Sequence, residues 1–458
     1  MAPAVSSAAS NPAAPPAFAV VILAAGMGTR MKSARHKVLH AIAGKPMLRH
    51  LLDMLEPLAP SRVVVVAGAL MNQVVAEVGS RASVVEQAPQ LGTGHAVAQA
   101  QGALAGFDGP VLILFGDVPL VRPATCAGLL AALADDVGVA VLGFRPADPA
   151  QYGRIIAHGD RIEKMVEYKD ASAAERAETL CNSGLMAVHA SDLFGWLARV
   201  TNNNAAGEYY LPDVVGLALA DGRTCVVTEA PAAEVVGVNS RAELAAAEAL
   251  FQARRRAELM AAGVTMVAPE TVFLAADTQI AADVEIEPFV VFGPGVRIAA
   301  GARIRAHSHI EGAVIGADCD VGPFARLRPG TVLEQGARIG NFVETKKAVL
   351  GAGAKANHLT YLGDATVGAG ANIGAGTITC NYDGFGKYQT QIGAGAFIGS
   401  NSALVAPVVI GDGAIVAAGS TITRDVAADA LALVRPEQTE KPGWAVRFRM
   451  VAAAKKGK

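Results

Sequence analysis

Two hydrophobic rhythms divide the chain. From Ile280 to Ile422 a large apolar residue recurs at nearly every sixth position. Ile280, Ile286, Phe292, Ile298, Ile304 and Ile310 form one run, Ile315, Val321, Leu327, Leu333 and Ile339 a second, and Ile392, Ile398, Leu404, Ile410, Val416 and Ile422 a third. A fixed short period marks one unit stacked on itself. Six is neither the helical period nor the strand period. It suits a coil with flat faces, each face a short strand and a turn. The apolar residue points inward, and the glycine that often follows it is expected to turn the corner, where it tolerates unusual dihedrals. Such a rod buries its core only by stacking, so its function belongs on the outside or between rods. Two stretches break the rhythm, Asn341–Leu362 and Thr379–Gln391, and both read as functional loops on a rigid scaffold.

Residues 18–239 follow a different rhythm. Val20–Leu23, Val63–Val66, Val111–Phe115 and Val139–Leu142 read as buried strands, and Leu48–Leu55 and His95–Ala105 as helices. This predicts an α/β domain with a largely parallel sheet, whose ligands sit beyond the carboxyl ends of the strands. Residues 240–263 read as one linker helix, with Ser240 and Glu243 as a capping box and Gly263 as its stop. An all-β domain over residues 264–458 completes the chain. Its tail from Arg435 carries seven lysines and arginines against two glutamates and reads as a flexible end, or as a polyanion site near its start.

Composition narrows the classes. A formal net charge of −2 over 458 residues gives no global pointer to nucleic acid or to a membrane surface. Five cysteines, odd in number and without a CxxC pair, argue for a reducing compartment and against a disulfide or zinc framework. Ser402–Thr423 carries Asp412 as its single charge, but Pro407, Gly411, Gly413 and Gly419 and the hexad phase favour coil over a membrane span. Residues 1–17, rich in Ala, Pro and Ser, read as a disordered tail.

Candidate chemistry then emerges from single strings. The strand Val20–Leu23 runs into the glycine-rich turn Ala24–Met31, whose backbone N–H groups suit phosphates. Met31 stands where a Rossmann fingerprint needs its third glycine, and no GK[ST] follows, so neither dinucleotide motif applies. Arg30 and Lys37 supply charge for a phosphate chain. Asp117, after the strand Val111–Phe115 and Gly116, suits Mg²⁺ held beside substrate phosphates, or equally a helix cap. Gln87 and the Gly92–Thr93 segment suit a nucleobase edge. In the rod, His358 lies with Lys346 and Tyr361 in the first irregular stretch, with Arg328 just before it. A neutral imidazole suits general-base removal of a proton, and the two cations suit an anionic group.

Taken together the strings are specific. LAAGMGTRM, QLGTGHA and GDVPL resemble the sugar-nucleotide pyrophosphorylases. YGRI (Tyr152–Ile155), VEYKDA (Val166–Ala171), NSG (Asn182–Gly184), TNNNAAGEYYLPD (Thr201–Asp213) and GVN (Gly237–Asn239) narrow the match. In the rod, FARLRPG (Phe324–Gly330), GNFVETKKA (Gly340–Ala348), NHLTYLGD (Asn357–Asp364), NIGAGTITCNYDG (Asn372–Gly384) and FIGSNSALVAPV (Phe397–Val408) extend it. Over nearly the whole chain after the tail, the sequence resembles the bacterial bifunctional N-acetylglucosamine-1-phosphate uridyltransferase/glucosamine-1-phosphate acetyltransferase family.

The resemblance implies a Rossmann-like nucleotidyltransferase domain, a linker helix and a left-handed parallel β-helix of hexapeptide repeats, in a cytoplasmic homotrimer. It implies acetyl transfer from acetyl-CoA to glucosamine 1-phosphate in the second half, then uridylyl transfer from UTP in the first, giving UDP-N-acetylglucosamine for cell-envelope polymers. By position, Asp117 and Asn239 match the Mg²⁺ ligands. Leu23, Ala24, Ala25, Gly26, Gln87, Gly92, Thr93, Phe115 and Gly116 match the uridine-nucleotide site, Arg30 and Lys37 the phosphate-stabilising residues, and Gly153, Glu167 and Asn182 the sugar contacts. His358 matches the general base, and Arg328, Lys346, Tyr361 and Asn372 the sugar-phosphate site of the acetyltransferase. Ala375, Asn381, Tyr382, Ser400, Ala418 and Arg435 match the acetyl-CoA site, which in this family lies between neighbouring rods.

Four positions depart from the family pattern. Met27 replaces a common basic residue, Phe115 a common Tyr, and His36 a Pro before Lys37, which bears on the reach of that lysine. Thr345 replaces a common Met and touches no assigned role. Two rival readings remain at this level: a single-activity nucleotidyltransferase whose rod serves assembly, against which His358, Arg328 and Lys346 argue, and a non-enzymatic scaffold, against which the complete metal and phosphate set argues.

Overall fold

A computed structural model describes residues 17–134 and 136–456. The expected tail lies outside them, apart from Ala17. The chain falls into two compact units that divide after Arg254, inside the long helix Arg241–Ala261.

The first unit is built on a nine-stranded sheet. Its strands are β1 (Ala19–Ala24), β2 (Arg62–Ala67), β3 (Ser83–Glu86), β4 (Pro110–Phe115), β5 (Val137–Phe144), β6 (Arg154–His158), β7 (Arg161–Val166), β8 (Cys181–His189) and β9 (Thr224–Glu229), in spatial order β3-β2-β1-β4-β8-β5-β9-β7-β6. All four expected strands lie inside β1, β2, β4 and β5. The parallel reading holds for β3-β2-β1-β4 and for β5 with β9. It fails for β8, which runs antiparallel to both β4 and β5, and for β6 and β7. Apolar runs report burial on both faces, not direction, and here alternate residues of β1 and β4 do enter cores on opposite faces. The helix expected over His95–Ala105 is confined to Thr93–Ala98. Beyond it the N–H groups of Gln99, Ala100 and Gln101 turn back to carbonyls three residues earlier, and the chain continues as turns.

The long helix is capped as its ends suggest, with one change. Ser240 Oγ accepts from the N–H of Glu243 at 3.2 Å, but the Glu243 carboxylate accepts from Asn239, one residue before the box position, at 2.6 Å. At the other end Gly263 is left-handed (φ 96°). Val264 N–H reaches Leu259 O and Gly263 N–H reaches Met260 O, the paired bonds of a Schellman stop.

The second unit is a parallel coil. One face alone carries ten stacked strands, from Thr265–Met266 to Leu431–Ala432. Over most of its length an outward residue pairs with one 17 or 18 positions on, as in Glu285 with Arg303, Arg303 with Asp320 and Asp320 with Arg338. Three six-residue sides make a coil of 18, and a five-residue side shortens it to 17. The inward positions Ile286, Ile304, Val321 and Ile339 form one continuous core.

The corners revise two expectations. Left-handed residues sit three places after the inward residue, as at Phe289, His307, Phe324 and Phe342, not directly after it. The glycine that directly follows serves close stacking: a Cβ on Gly340 would lie 1.9 Å from Asn357 O, and one on Gly368 2.4 Å from Ala394 N. Asn341–Leu362 is also not a loop. It holds the strands Arg338–Asn341, Glu344–Leu350, Lys355–His358 and Tyr361–Val367, all in register, and its rhythm slips because Lys347 and Asp364 close five-residue sides. Thr379–Gln391 does leave the coil, stretching the step from Asn372 to Phe397. Ser402–Thr423 is coil, and among the described residues no helix is long and apolar enough to cross a membrane. The tail holds a helix the sequence reading lacked, Trp444–Lys456, with Trp444 stacked on Phe448 one turn on.

Gly340→Ala should destabilise the protein by at least about 2 kcal/mol through overpacking. Gly102→Ala, where a Cβ meets open space, should be close to neutral. Denaturant unfolding of both variants checks this; equal midpoints would refute the stacking role.

Candidate active sites

The front pocket forms where three distant segments meet at the carboxyl ends of β1 and β4. Gly116 N–H donates to Leu23 O at 2.8 Å, which ties the turn after β4 to the end of β1. Val238 N–H donates to Asp117 O at 2.9 Å and so carries Asn239 to Asp117. A third clamp joins Gly94 N–H to Tyr209 O and Tyr209 N–H to Leu91 O, both at 2.8 Å. Gly92 is left-handed (φ 116°), and a Cβ there would lie 2.6 Å from Tyr209 O, so glycine is required.

The result is a cavity of about 310 Å³. Leu23, Ala24, Ala25, Gly26, Lys37, Gln87, Gly92, Thr93, Phe115 and Asp117 line it. So do Val38, Gln90, Ala96 and Glu208, which the sequence left unassigned, although Gln90, Ala96 and Glu208 stand inside the strings QLGTGHA and TNNNAAGEYYLPD. Gln87 is buried; its amide donates to Gly92 O at 2.9 Å and meets His95 Nδ1 at 3.0 Å. Gln90 donates to Ala25 O. Lys37 Nζ lies 2.5 Å from Asp117 Oδ2 and 3.1 Å from Asn239 Oδ1, so both oxygens face one cation position. Arg30 is exposed on the short turn Thr29–Met31, outside the cavity lining.

His36 does not impair Lys37. Its backbone N–H, which a proline would lack, donates to Gln73 Oε1 at 2.9 Å. Its ring is buried, and burial followed by the Lys37 charge pushes its pKa down. Phe115 packs on Gly184, where a Cβ would lie 2.8 Å from the ring, and Met27 is 63% exposed.

Gly153, Glu167 and Asn182 also meet. Asn182 N–H donates to Gly153 O at 2.9 Å, and a Cβ on Gly153 would lie 3.3 Å from Glu167 Oε1. Burial, then Asp213, Asp170 and Glu208, pushes the Glu167 carboxyl above its ordinary value.

In the coil, register stacks the candidates in columns whose successive members lie about 4.8 Å apart. Asn341, His358, Ala375, Ser400 and Ala418 occupy equivalent positions on successive coils, just before one corner. Past that corner Arg328, Lys346 and Gly363 form a second column, and Glu344 and Tyr361 a third. His358 is exposed, with Nδ1 3.0 Å from Asn341 Oδ1. Arg328 donates to Glu344 at 2.7 Å. Lys387, from the Thr379–Gln391 excursion, faces Lys346 and, ahead of Arg328, lowers its pKa. Three cations converge there, and Lys387 was missed, though it is the single cation of that loop. Asn381 donates to Asp364 at 2.6 Å, beside the Tyr361 hydroxyl that overlies Gly363. Arg435 donates to Ala418 O at 2.7 Å, and Tyr382 to Gly384 O at 2.6 Å. Asn372 lies one coil beyond Lys355 on the His358 face. Thr345 proves to have a part: Arg328 N–H donates to its carbonyl, and its hydroxyl meets Thr331, which holds Arg328 O.

Residues 20–184 match the MobA-like NTP transferase domain, and residues 389–424 the bacterial transferase hexapeptide (six repeats). Relatives called bifunctional protein GlmU match almost end to end. That of Sphingopyxis alaskensis is 66% identical over 441 residues, covering 96% of this chain and 98% of its own. Those of Novosphingobium aromaticivorans (63% identical; 96% and 98% covered) and Zymomonas mobilis (58%; 94% and 97%) are similar.

The chain belongs to the bifunctional protein GlmU family. As a GlmU-family protein it is a two-activity transferase that makes UDP-N-acetylglucosamine. Its first unit is a Rossmann-like nucleotidyltransferase and its coil a left-handed β-helix with acetyltransferase repeats.

Because the folded state holds the Glu167 proton more tightly than the unfolded chain, stability should fall as pH rises from about 4.5 through the raised value. Glu167→Gln should flatten that slope and raise the melting temperature at neutral pH. Thermal unfolding between about pH 4.5 and 7 measures it; parallel curves would contradict the raised value.

Proposed function

We propose that the front cavity binds UTP and N-acetylglucosamine 1-phosphate and that the columns of the coil carry out the acetyl transfer. The convergence of Lys37, Asp117 and Asn239 on one point carries the first assignment. A carboxylate and an amide oxygen directed at a single cation fit Mg²⁺, which takes oxygen ligands. Among the described residues no group of three or more His, Cys, Asp or Glu could hold a metal, so substrate phosphates and water would complete the shell. When bound, Mg²⁺ supplies charge neutralisation on the triphosphate.

The residues do the rest by alignment. The Ala24–Gly26 backbone, Lys37 and Arg30 hold the phosphate chain, while Gln87, Gly92 and Thr93 hold the uridine. Phe115 and Gly116 floor the nucleotide site. Gly153, Glu167 and Asn182 orient the sugar. A phosphate oxygen of the sugar phosphate then bonds to the α-phosphorus, the bond to the bridging oxygen breaks, and pyrophosphate leaves.

In the coil, Arg328, Lys346 and Lys387 bind the phosphate of glucosamine 1-phosphate, with Tyr361 and Asn372 beside them. Ala375, Ser400 and Ala418 leave a strip of small residues leading away from His358 for acetyl-CoA, with Asn381, Tyr382 and Arg435 around it. The amine nitrogen bonds to the acetyl carbon, His358 Nε2 takes the amine proton, the C–S bond breaks and the proton passes to the departing thiolate. A homotrimer is supported by the corner ladder Phe289–His307–Phe324–Phe342, whose rings stack 4.8 to 5.3 Å apart and whose phenylalanines are all exposed. Five free cysteines suit the reducing cytoplasm, where precursors of cell-envelope polymers are made.

His358→Ala should lower thiol release from acetyl-CoA with glucosamine 1-phosphate by at least about a hundredfold and leave pyrophosphate release intact. Asp117→Ala should do the reverse. Equal rates for wild type and His358→Ala would end the acetyltransferase assignment to this residue.

A further inference from the structure

We propose that Asn341 is a positioning residue for acetyl transfer: it fixes the tautomer of His358 and the direction in which its free nitrogen points. The inference rests on the reading of His358 as the base. Asn341 and His358 each end a strand, on adjacent coils, and are directly paired. Continuing the register, the column holds Pro323 one coil before Asn341 and Ala375 one coil after His358. Neither of those side chains can hydrogen bond, so Asn341 is the imidazole's one polar neighbour within the column.

The contact is specific in sense. Asn341 Oδ1 lies 3.0 Å from His358 Nδ1, and a carbonyl oxygen can only accept. Nδ1 therefore carries the proton, and Nε2 keeps its lone pair. Asn341 also acts on the backbone, because its own carbonyl accepts from Leu359 N–H at 3.0 Å at the left-handed corner (φ 48°). On the far side Thr360 Oγ1 donates to His358 O at 2.7 Å. The ring is thus held on the Asn341 side, and Ala375, Ser400 and Ala418 follow it along the column.

The neutrality of the amide matters. A carboxylate in its place would favour the imidazolium and withdraw the base at neutral pH. The other ionisable groups nearest in register are Lys355 on the same strand, Arg338 on the coil before it and Tyr361 past the corner.

The test is the pH profile of acetyl transfer by the full-length protein. Asn341→Ala should lower kcat at least about tenfold by freeing the tautomer, with KM for both substrates within about twofold. Asn341→Asp should move the acid limb of kcat/KM up by about one pH unit, as a new neighbouring carboxylate does. In wild-type protein labelled at histidine, nitrogen NMR should show His358 with its proton on Nδ1, a readout that needs no substitution. A profile for Asn341→Asp that overlays wild type, full kcat in Asn341→Ala, or a proton on Nε2 would each overturn the proposal. If His358→Ala itself keeps full activity, the base assignment fails instead, and the two failures are thereby separated.

Discussion

Rung-to-rung backbone pairing governs the coil and, through it, the whole second site. Over most of the coil an outward side chain stands directly above its counterpart 17 or 18 residues away. Sequence distance is thereby converted into columns. The pairing that buries Ile304, Val321 and Ile339 also stacks Arg328 on Lys346 and Asn341 on His358. Like charges in register repel, and Lys387 adds to the strain on Lys346. Glu344, which accepts from Arg328 at 2.7 Å, offsets part of that repulsion. The backbone ladder thus holds the cations together against their mutual repulsion.

The first unit solves the same problem with single bonds between distant segments. Val238 to Asp117 and Gly116 to Leu23 are backbone contacts, indifferent to side chain, yet they align the oxygens that face Lys37. Glu243, in the first helical turn, then holds Asn239 by its N–H. Chemistry at the strand ends therefore depends on turns and on a helix start more than on the sheet itself.

Much of this was legible in the sequence. A six-residue period has few structural solutions, so the coil and its inward residues followed from spacing. The strands β1, β2, β4 and β5 followed from apolar runs, and most front-pocket residues from motif order. What escaped depends on geometry that composition does not encode. The antiparallel course of β8 looks the same as a parallel one in residue type. The five-residue sides read as disorder of the rhythm, because only the left-handed corners at Lys347 and Asp364 restore the register. Glycines after the inward residue suggested turning, whereas a bare Cα for close stacking is what Gly340 provides. Lys387, Asn341 and Thr345 act through neighbours on other coils, and no local string announces a partner 14 to 41 residues away.

The three-sided coil also limits how such a protein can change in length. One residue gained or lost on a side without a compensating corner would rotate everything downstream by one position, turning inward aliphatics out and separating His358 from Asn341. The Thr379–Gln391 excursion escapes this limit. It departs after Cys380 and rejoins in register at Thr390, with Tyr382 and Lys387 bridged across its neck. Insertions and deletions at its apex, where Phe385 is 98% exposed, leave the coil's phase untouched, so the polypeptide can vary there while the columns of Asn341 and Arg328 stay aligned.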